Sequence, residues 1–377
     1  MRPRDVVPML ICLTLLDGMA VAQQESLRGQ LSAWLTSSSE KQWGMRYLPE
    51  VNLRTKPSET TGLDLHLTGH AFASGWIGNS EETGIRSALE LYRGWIRFST
   101  SQLELRAGLQ KINFGPAQLV RPLMWFDRID ARDPLQITEG VYGLLARYYF
   151  LNNTNLWFWG LIGNQGRKGW EVIPSNKRIP EFGGRVQGPL LSGEMGVSFH
   201  HRKLDLDRFP MASLFSTEEQ IPEQRLGFDG RWDLGVGLWF EAVWSHQDLP
   251  ASLLRYQRLF NLGCDYTFGL GNGLHLLNEF LILETAESAF QSGEGISFSA
   301  LALNYPIGLL YQISAMLYYD WDHEQSYRFI NLQRRGDIVS LYLLGFWNPD
   351  FFQLYGQGEG MTLFSGRGLQ LLISFSH

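Results

Sequence analysis

From residue 27 to the C-terminus the chain repeats one unit, a run of alternating apolar and polar side chains closed by a turn signal. Leu103, Leu105, Ala107 and Leu109 alternate with Gln102, Glu104, Arg106 and Gln110. Leu63, Leu65 and Leu67 oppose Asp64, His66 and Thr68, while Leu226, Phe228 and Trp232 oppose Arg225, Asp229, Arg231 and Asp233. The last run sets Leu369, Leu371, Ile373 and Phe375 against Gln370, Ser374 and Ser376. A period of two puts the two sets on opposite faces of a strand. The runs cover residues 27–36, 44–54, 63–74, 89–100, 102–110, 141–150, 155–164, 180–188 and 193–202. They continue over 224–233, 236–246, 258–268, 273–283, 296–305, 309–320, 325–335, 337–347 and 368–376. The total is about 18 strands, an even number as in single-chain bacterial barrels.

The connections carry a second pattern. Those after even-numbered strands are mostly short: Ser101, the Asn152 turn, 189–192, 234–235, the Gly269 turn, 306–308 and Gly336. Those after odd-numbered strands are mostly long: 75–88, 111–140, 165–179, 203–223, 247–256, 284–295 and 348–367. Short turns at one end and long loops at the other mark a transmembrane barrel; a soluble sandwich has no reason to sort its loops. Aromatic residues gather near strand ends, among them Tyr149, Phe150, Trp157, Trp159, Trp232, Trp244, Tyr266 and Phe268. Tyr318, Tyr319, Trp321, Phe346 and Trp347 do the same. Amphipathic rings favour the lipid–water boundary, so these residues are expected to form girdles; ordinary aromatic enrichment in strands would also place rings there.

Residues 111–140 are too long for a hairpin turn and too apolar for a solvated loop. Pro116, Pro122 and Pro134 exclude a long helix or central strand. Leu119, Val120, Leu123, Met124, Trp125, Phe126 and Ile129 argue against disorder. Long ordered loops tend to carry function, and this one is expected to fold inward and narrow or plug a channel. Arg121, Asp127, Arg128, Asp130, Arg132 and Asp133 are its candidate polar contacts, with Arg106 and Arg147 as candidate partners on the flanking wall. A loop packed over one end of a sheet is the simpler alternative.

The N-terminus reads MRPRD, then an apolar run over 6–16, then Ala20-Val21-Ala22. That is a secretory signal peptide cleaved after Ala22, leaving residues 23–377 as the barrel. Cys12 would leave with it, so Cys264 would be alone and without an intramolecular disulfide; it is expected to face lipid. The chain has 377 residues, 13% aromatic, with 13 Trp and 40 Gly. A net charge of −6 argues against nucleic acid as a partner. Of the 32 basic residues six are Lys and the rest Arg, which suits a confined, hydrogen-bonded setting.

The polar face collects Arg93, Arg97, Glu104, Arg106, Arg147 and Arg185, and farther on Glu194, Arg225, Asp229, Arg231, Glu241 and Asp265. An aqueous lumen lined this way would bias passage toward anions or hydroxyl-rich solutes. The same charges could instead pair across strands and brace the wall.

The segment Gly108-Leu109-Gln110-Lys111-Ile112-Asn113-Phe114-Gly115 is followed by Trp125-Phe126-Asp127 and by Asp130-Ala131-Arg132-Asp133-Pro134-Leu135. It resembles the G-x-Q-x-x-x-x-G … D-x-x-x-P-L region of alginate-export-type and related outer-membrane porins. That resemblance implies an 18-stranded barrel with loops folded over or into the channel, acting as a passive, substrate-biased pore. Phe375 resembles the C-terminal assembly signal of such barrels, although Ser376 and His377 follow it.

An enzyme is the rival class. His200 and His201 are adjacent and so face opposite sides of a strand. His66 and His70 share a face but lack a third ligand at metal spacing, and the sequence has no G-x-S-x-G elbow or Walker loop. No catalytic residue, cofactor or metal is therefore assigned. The expected protein is an all-β, antiparallel up-and-down barrel in the bacterial outer membrane, in contact with lipid and small hydrophilic solutes, with a homo-oligomer admitted. Its expected function is passive diffusion of those solutes, anionic or sugar-like ones being candidates. A plugged barrel for binding, polysaccharide export or assembly is the alternative, and an outer-membrane hydrolase ranks below both.

Overall fold

In the computed structural model every described strand belongs to one antiparallel sheet that closes on itself. Residues 23–38, 41–77, 83–129, 131–208, 220–249, 255–349 and 364–377 are described; the expected signal peptide, Cys12 and Asp130 lie outside them. The first nine strands are β1 (Gln23–Ser37), β2 (Lys41–Ser58), β3 (Thr61–Ile77), β4 (Thr83–Ser99), β5 (Leu103–Gln110), β6 (Val141–Tyr149), β7 (Asn155–Leu161), β8 (Glu181–Leu190) and β9 (Gly193–Lys203). The second nine are β10 (Pro222–Asp233), β11 (Gly237–Gln247), β12 (Tyr256–Phe268), β13 (Leu274–Ala286), β14 (Glu294–Ile307), β15 (Tyr311–Asp320), β16 (Gln325–Arg335), β17 (Val339–Trp347) and β18 (Arg367–Ser376). Each pairs with its sequence neighbours, and β18 returns to β1 from Gln30↔Ser376 to Ser37↔Leu369. Gly29 and His377 exchange two backbone hydrogen bonds of 3.0 Å at the seam.

Alternation decides which face is which. On β10, Leu226 and Phe228 are exposed while Arg225 and Asp229 are buried; on β18, Leu369, Leu371 and Ile373 point out while Gln370 and Ser374 point in. The apolar face is the outer one, as a lipid-facing wall requires. Cys264 shares the outer face of β12 with Phe260, Leu262 and Tyr266. The short turns use the backbone twist that hairpins need. Leu191 and Ser192 link β8 to β9 at φ 50 and 62, the positive values of a two-residue turn matched to strand twist.

Two expectations about the wall need correcting. Residues 75–88 are largely strand, because β3 runs to Ile77 and β4 begins at Thr83. The first four strands span 15 to 18 residues, so this side of the barrel stands taller than alternation over about ten residues suggested. Trp159, Tyr318 and Phe346 are not in an outer girdle. They are 3%, 2% and 0% exposed and belong to an apolar cluster with Val243, Leu281 and Phe329. The inner face is therefore not uniformly polar. Residues 111–126 contribute Ile112, Phe114, Val120, Leu123, Trp125 and Phe126 to that cluster, and apolar side chains on the loop are best buried against apolar partners on the wall.

Replacing Ile330, on the outer face midway along β16, by Arg should destabilise the folded barrel by roughly 2–4 kcal/mol in lipid vesicles. Urea unfolding followed by heat-modifiable gel migration reads the loss.

Candidate functional site

The loop 111–140 is held by its backbone. Glu241 on β11 accepts hydrogen bonds from the N–H groups of Ala117 (2.9 Å) and Leu123 (2.8 Å). Glu279 on β13 accepts from Gln118 (2.6 Å), Leu119 (3.0 Å) and Val120 (2.7 Å). Trp239 Nε1 also donates to Glu279, at 3.2 Å, and the Asn261 side chain donates to the carbonyl of Val120 at 2.9 Å. Both carboxylates are fully buried, so the five loop N–H groups replace the water each would otherwise need. Gly227 on β10 leaves room for the loop: a Cβ there would lie 2.5 Å from Leu123 and 3.0 Å from Trp125.

The returning end of the loop docks on β4. Arg93 donates to the carbonyls of Thr138 (2.8 Å) and Glu139 (3.1 Å) and to Thr138 Oγ1 (2.6 Å), while Tyr92 Oη accepts from Thr138 N–H at 3.2 Å. This grip sits where β3 and β4 slip register beside Gly69, a bulge that re-aims side chains.

A second connection, 162–180, locks onto the first. Gly169 N–H donates to the carbonyl of Asp127 at 3.0 Å, and Trp170 Nε1 to that of Arg121 at 2.8 Å. Gly169 has φ 46, and a Cβ would lie 1.7 Å from the Met124 carbonyl oxygen. The same connection is tied to the wall by ions. Arg202, 0% exposed, forms a bidentate pair with Glu223 (2.8 and 2.8 Å) and meets Glu171 at 3.2 Å. Arg225 bonds to Glu223 and lies 2.9 Å from Glu171. Such a buried cluster is tolerable only because each charge has opposite charges beside it. Trp159 donates to His200 Nδ1 at 3.1 Å, which leaves the ring proton on Nε2 to donate to Glu181 at 3.2 Å.

The sequence-predicted residues divide. Arg106 and Arg147 come together on the wall around Glu104, at 2.8 and 3.7 Å, stacked over Trp95 and Trp157. Both are held by wall residues, and the loop is gripped instead by Arg93. Arg121 braces the loop internally, through Asn113 and the Phe114 carbonyl. Arg128 lies 3.9 Å from Glu139. Arg132 is buried over the rings of Phe329 (5.7 Å) and Phe364 (5.5 Å), and Asp133 Oδ1 accepts from Leu135 N–H at 2.9 Å. Asp127 is 1% exposed; its Oδ1 accepts from Arg128 N–H at 2.8 Å and its Oδ2 is 3.7 Å from Lys111.

Burial pushes the Asp127 carboxyl up to about 6, opposed by the Lys111 ammonium and the Arg128 N–H; burial correspondingly lowers Lys111. Alternation had placed Glu241, Arg93 and Arg225 on the polar face, but Glu279 and Arg202 were missed. Their loop partners lie more than 20 residues away, beyond any local pattern. Among the described residues no group of three or more His, Cys, Asp or Glu could hold a metal ion.

No family model matches the chain, and no curated protein is similar to it. Solved structures do match. OccK5 (OpdH) of Pseudomonas aeruginosa aligns over 94% of this chain and 97% of its own, with TM-score 0.56 and 11% identity. OccAB1 of Acinetobacter baumannii aligns over 95% and 97%, with TM-score 0.55 and 10% identity. OmpT, an outer membrane protein of Vibrio cholerae in its trimer form, aligns over 94% and 100%, with TM-score 0.50 and 9% identity. At these identities the likeness shows the fold, the closed 18-stranded barrel of outer-membrane porins. The narrower likeness to alginate-export-type porins gains no support from these matches and rests on residues 108–135 alone.

Two outcomes are expected. Glu279→Ala leaves three loop N–H groups without their acceptor, each costing about 1–3 kcal/mol if unsatisfied, so amide exchange at 118–120 should speed by at least a hundredfold. A carboxyl raised from 3.8 to about 6 binds its proton more readily folded than unfolded. Stability should therefore rise as pH falls from about 7 to 4, by up to about 3 kcal/mol for a shift of this size. Asp127→Asn should flatten that part of the pH profile in urea titrations.

Proposed function

We propose that this protein is a bacterial outer-membrane channel for the passive diffusion of small hydrophilic solutes. The observation that supports this best is a closed 18-stranded barrel with an apolar outer face and charged inner positions. In an aqueous compartment that outer face would be an aggregation surface; in a bilayer it is solvated by lipid. The wall is porin-like over nearly its whole length. On the ground of this fold we read the chain as a channel and not as an enzyme. OmpT's trimer form is the ground for proposing a homo-oligomer here.

Within the channel, residues 111–140 are the constriction, with 162–180 as their support. We take Arg121, Asp127, Arg128, Arg132 and Asp133 as the polar groups of this region, with Arg106 and Arg147 on the wall, and Asp130 lies outside the described residues. One sector of the inner wall is rich in Arg. Asp64 is shared by Arg54 and Arg97, and Glu104 by Arg97, Arg106 and Arg147. Cations therefore outnumber their anions along β2–β6, which favours anionic or hydrogen-bonding solutes. The braced-wall and anion-bias readings are compatible, because the pairing is incomplete.

The apolar cluster between loop and wall favours a second reading, a plugged barrel for binding, export or assembly. Ile112, Leu123 and Phe126 are each 1% exposed, so water does not cross that sector. Single-channel conductance separates the two. Stable conductance that rises on deletion of residues 116–136 supports a porin narrowed by its loop. A silent wild type that opens on deletion supports the plugged barrel, and silence in both folded proteins overturns the channel. Arg128→Ala should shift conductance or ion selectivity while folding is retained.

A further inference from the structure

Between residues 131–136 and the inner face of β14–β17 lies a chamber of about 300 Å³. Its wall is ordered by strand register. Asn304, Ser314 and Asn331 are successive cross-strand partners and form one row; Gln312 and Gln333 form the next. The row on the other side of the first is apolar, running from Met316 to Phe329 across β15 and β16. Cross-strand rows of this kind present contiguous side chains on one face. The chamber is thus two rows of amides and a hydroxyl beside one apolar row, roofed by the loop's Pro134 and Leu135.

Each charged residue lining the chamber has a contact within the protein. Arg132 lies over two aromatic rings, and Asp133 accepts from the loop's own backbone. Gln333, oriented to accept, meets Arg335 at 3.1 and 3.3 Å. On the amide row, Asn331 Oδ1 is buried and accepts no hydrogen bond. A buried amide oxygen left this way costs free energy unless a ligand or water meets it. Amides donate and accept together, as a sugar hydroxyl does, and an apolar strip fits the C–H face of a sugar ring.

We propose that this chamber binds a neutral, hydroxyl-rich solute, a mono- or disaccharide, on its way through the barrel. The proposal rests on the channel reading above and names the solute class of its inner wall. It differs from the Arg-rich sector on β2–β6, which would hold an anion.

The test uses the full mature chain, folded in detergent, with maltose and gluconate as probes in titration calorimetry and with KCl conductance measured in parallel. Maltose should bind saturably and at least tenfold more tightly than gluconate. Asn331→Leu should weaken maltose binding by tenfold or more, because the site then loses groups built to meet hydroxyls. Where Asn331→Leu fails to migrate as a folded barrel, Gln312→Leu carries the same expectation. Gluconate binding as tight as maltose overturns the neutral-solute assignment. Absence of saturable maltose binding overturns the site even when conductance is normal. Loss of conductance alone, with maltose still bound, overturns the channel reading and leaves the site standing.

Discussion

Closure of the sheet is the constraint on which everything else depends. In hydrocarbon an unpaired backbone N–H or carbonyl has no water to turn to, so a strand edge cannot be left open. The pairing of β1 with β18 removes both edges at once. Closure then fixes the two faces, because a period-two side-chain pattern leaves no third direction. Apolar positions meet lipid, and the charges that would be intolerable there are turned inward. Every inner feature, from the carboxylates of Glu241 and Glu279 to the amide rows on β14–β16, follows from that sorting.

The interior that results is divided. Over β9–β13 it is filled: the loop 111–140 rests on Glu241, Asn261 and Glu279, and its apolar side chains complete a core with the wall. The connection 162–180 backs it through buried ion pairs around Arg202. The sector β2–β6, which includes most of the tall side, carries Arg side chains sharing too few carboxylates. Between the two, the loop's tip covers the amide-lined chamber. A barrel wall is uniform in hydrogen bonding, so such contrasts come entirely from which side chains the register brings side by side.

Much of this was legible in the sequence. Alternation located all eighteen strands in order, since Leu226 beside Arg225 or Leu369 beside Gln370 has one consistent reading in a half-lipid, half-lumen wall. The sorting of long and short connections was legible for the same reason. Strand ends were less so: residues 75–77 and 83–88 continue the ladder because edge-to-edge pairing, which has no sequence signature, can extend a strand past its alternating run. The girdle reading failed at Trp159, Tyr318 and Phe346, where ring chemistry suits a lipid boundary and an inner apolar core equally. The site was legible only in its parts. Arg106, Arg147 and the loop stood out, but Glu279 is one acid in an ordinary strand until Gln118, Leu119 and Val120 arrive from some 160 residues away.

The two carboxylates grip the loop through main-chain N–H groups, which every residue but proline supplies. These hydrogen bonds are therefore indifferent to the side chain at the exposed position 118, provided it is not proline, while Ala117, Val120 and Leu123 are also held by the apolar core. A lineage could rewrite exposed side chains of this kind, and with them the loop's chemistry, without loosening the mooring. The wall would keep one design while the lining drifted toward new solutes, and selection on permeability could act separately from selection on assembly.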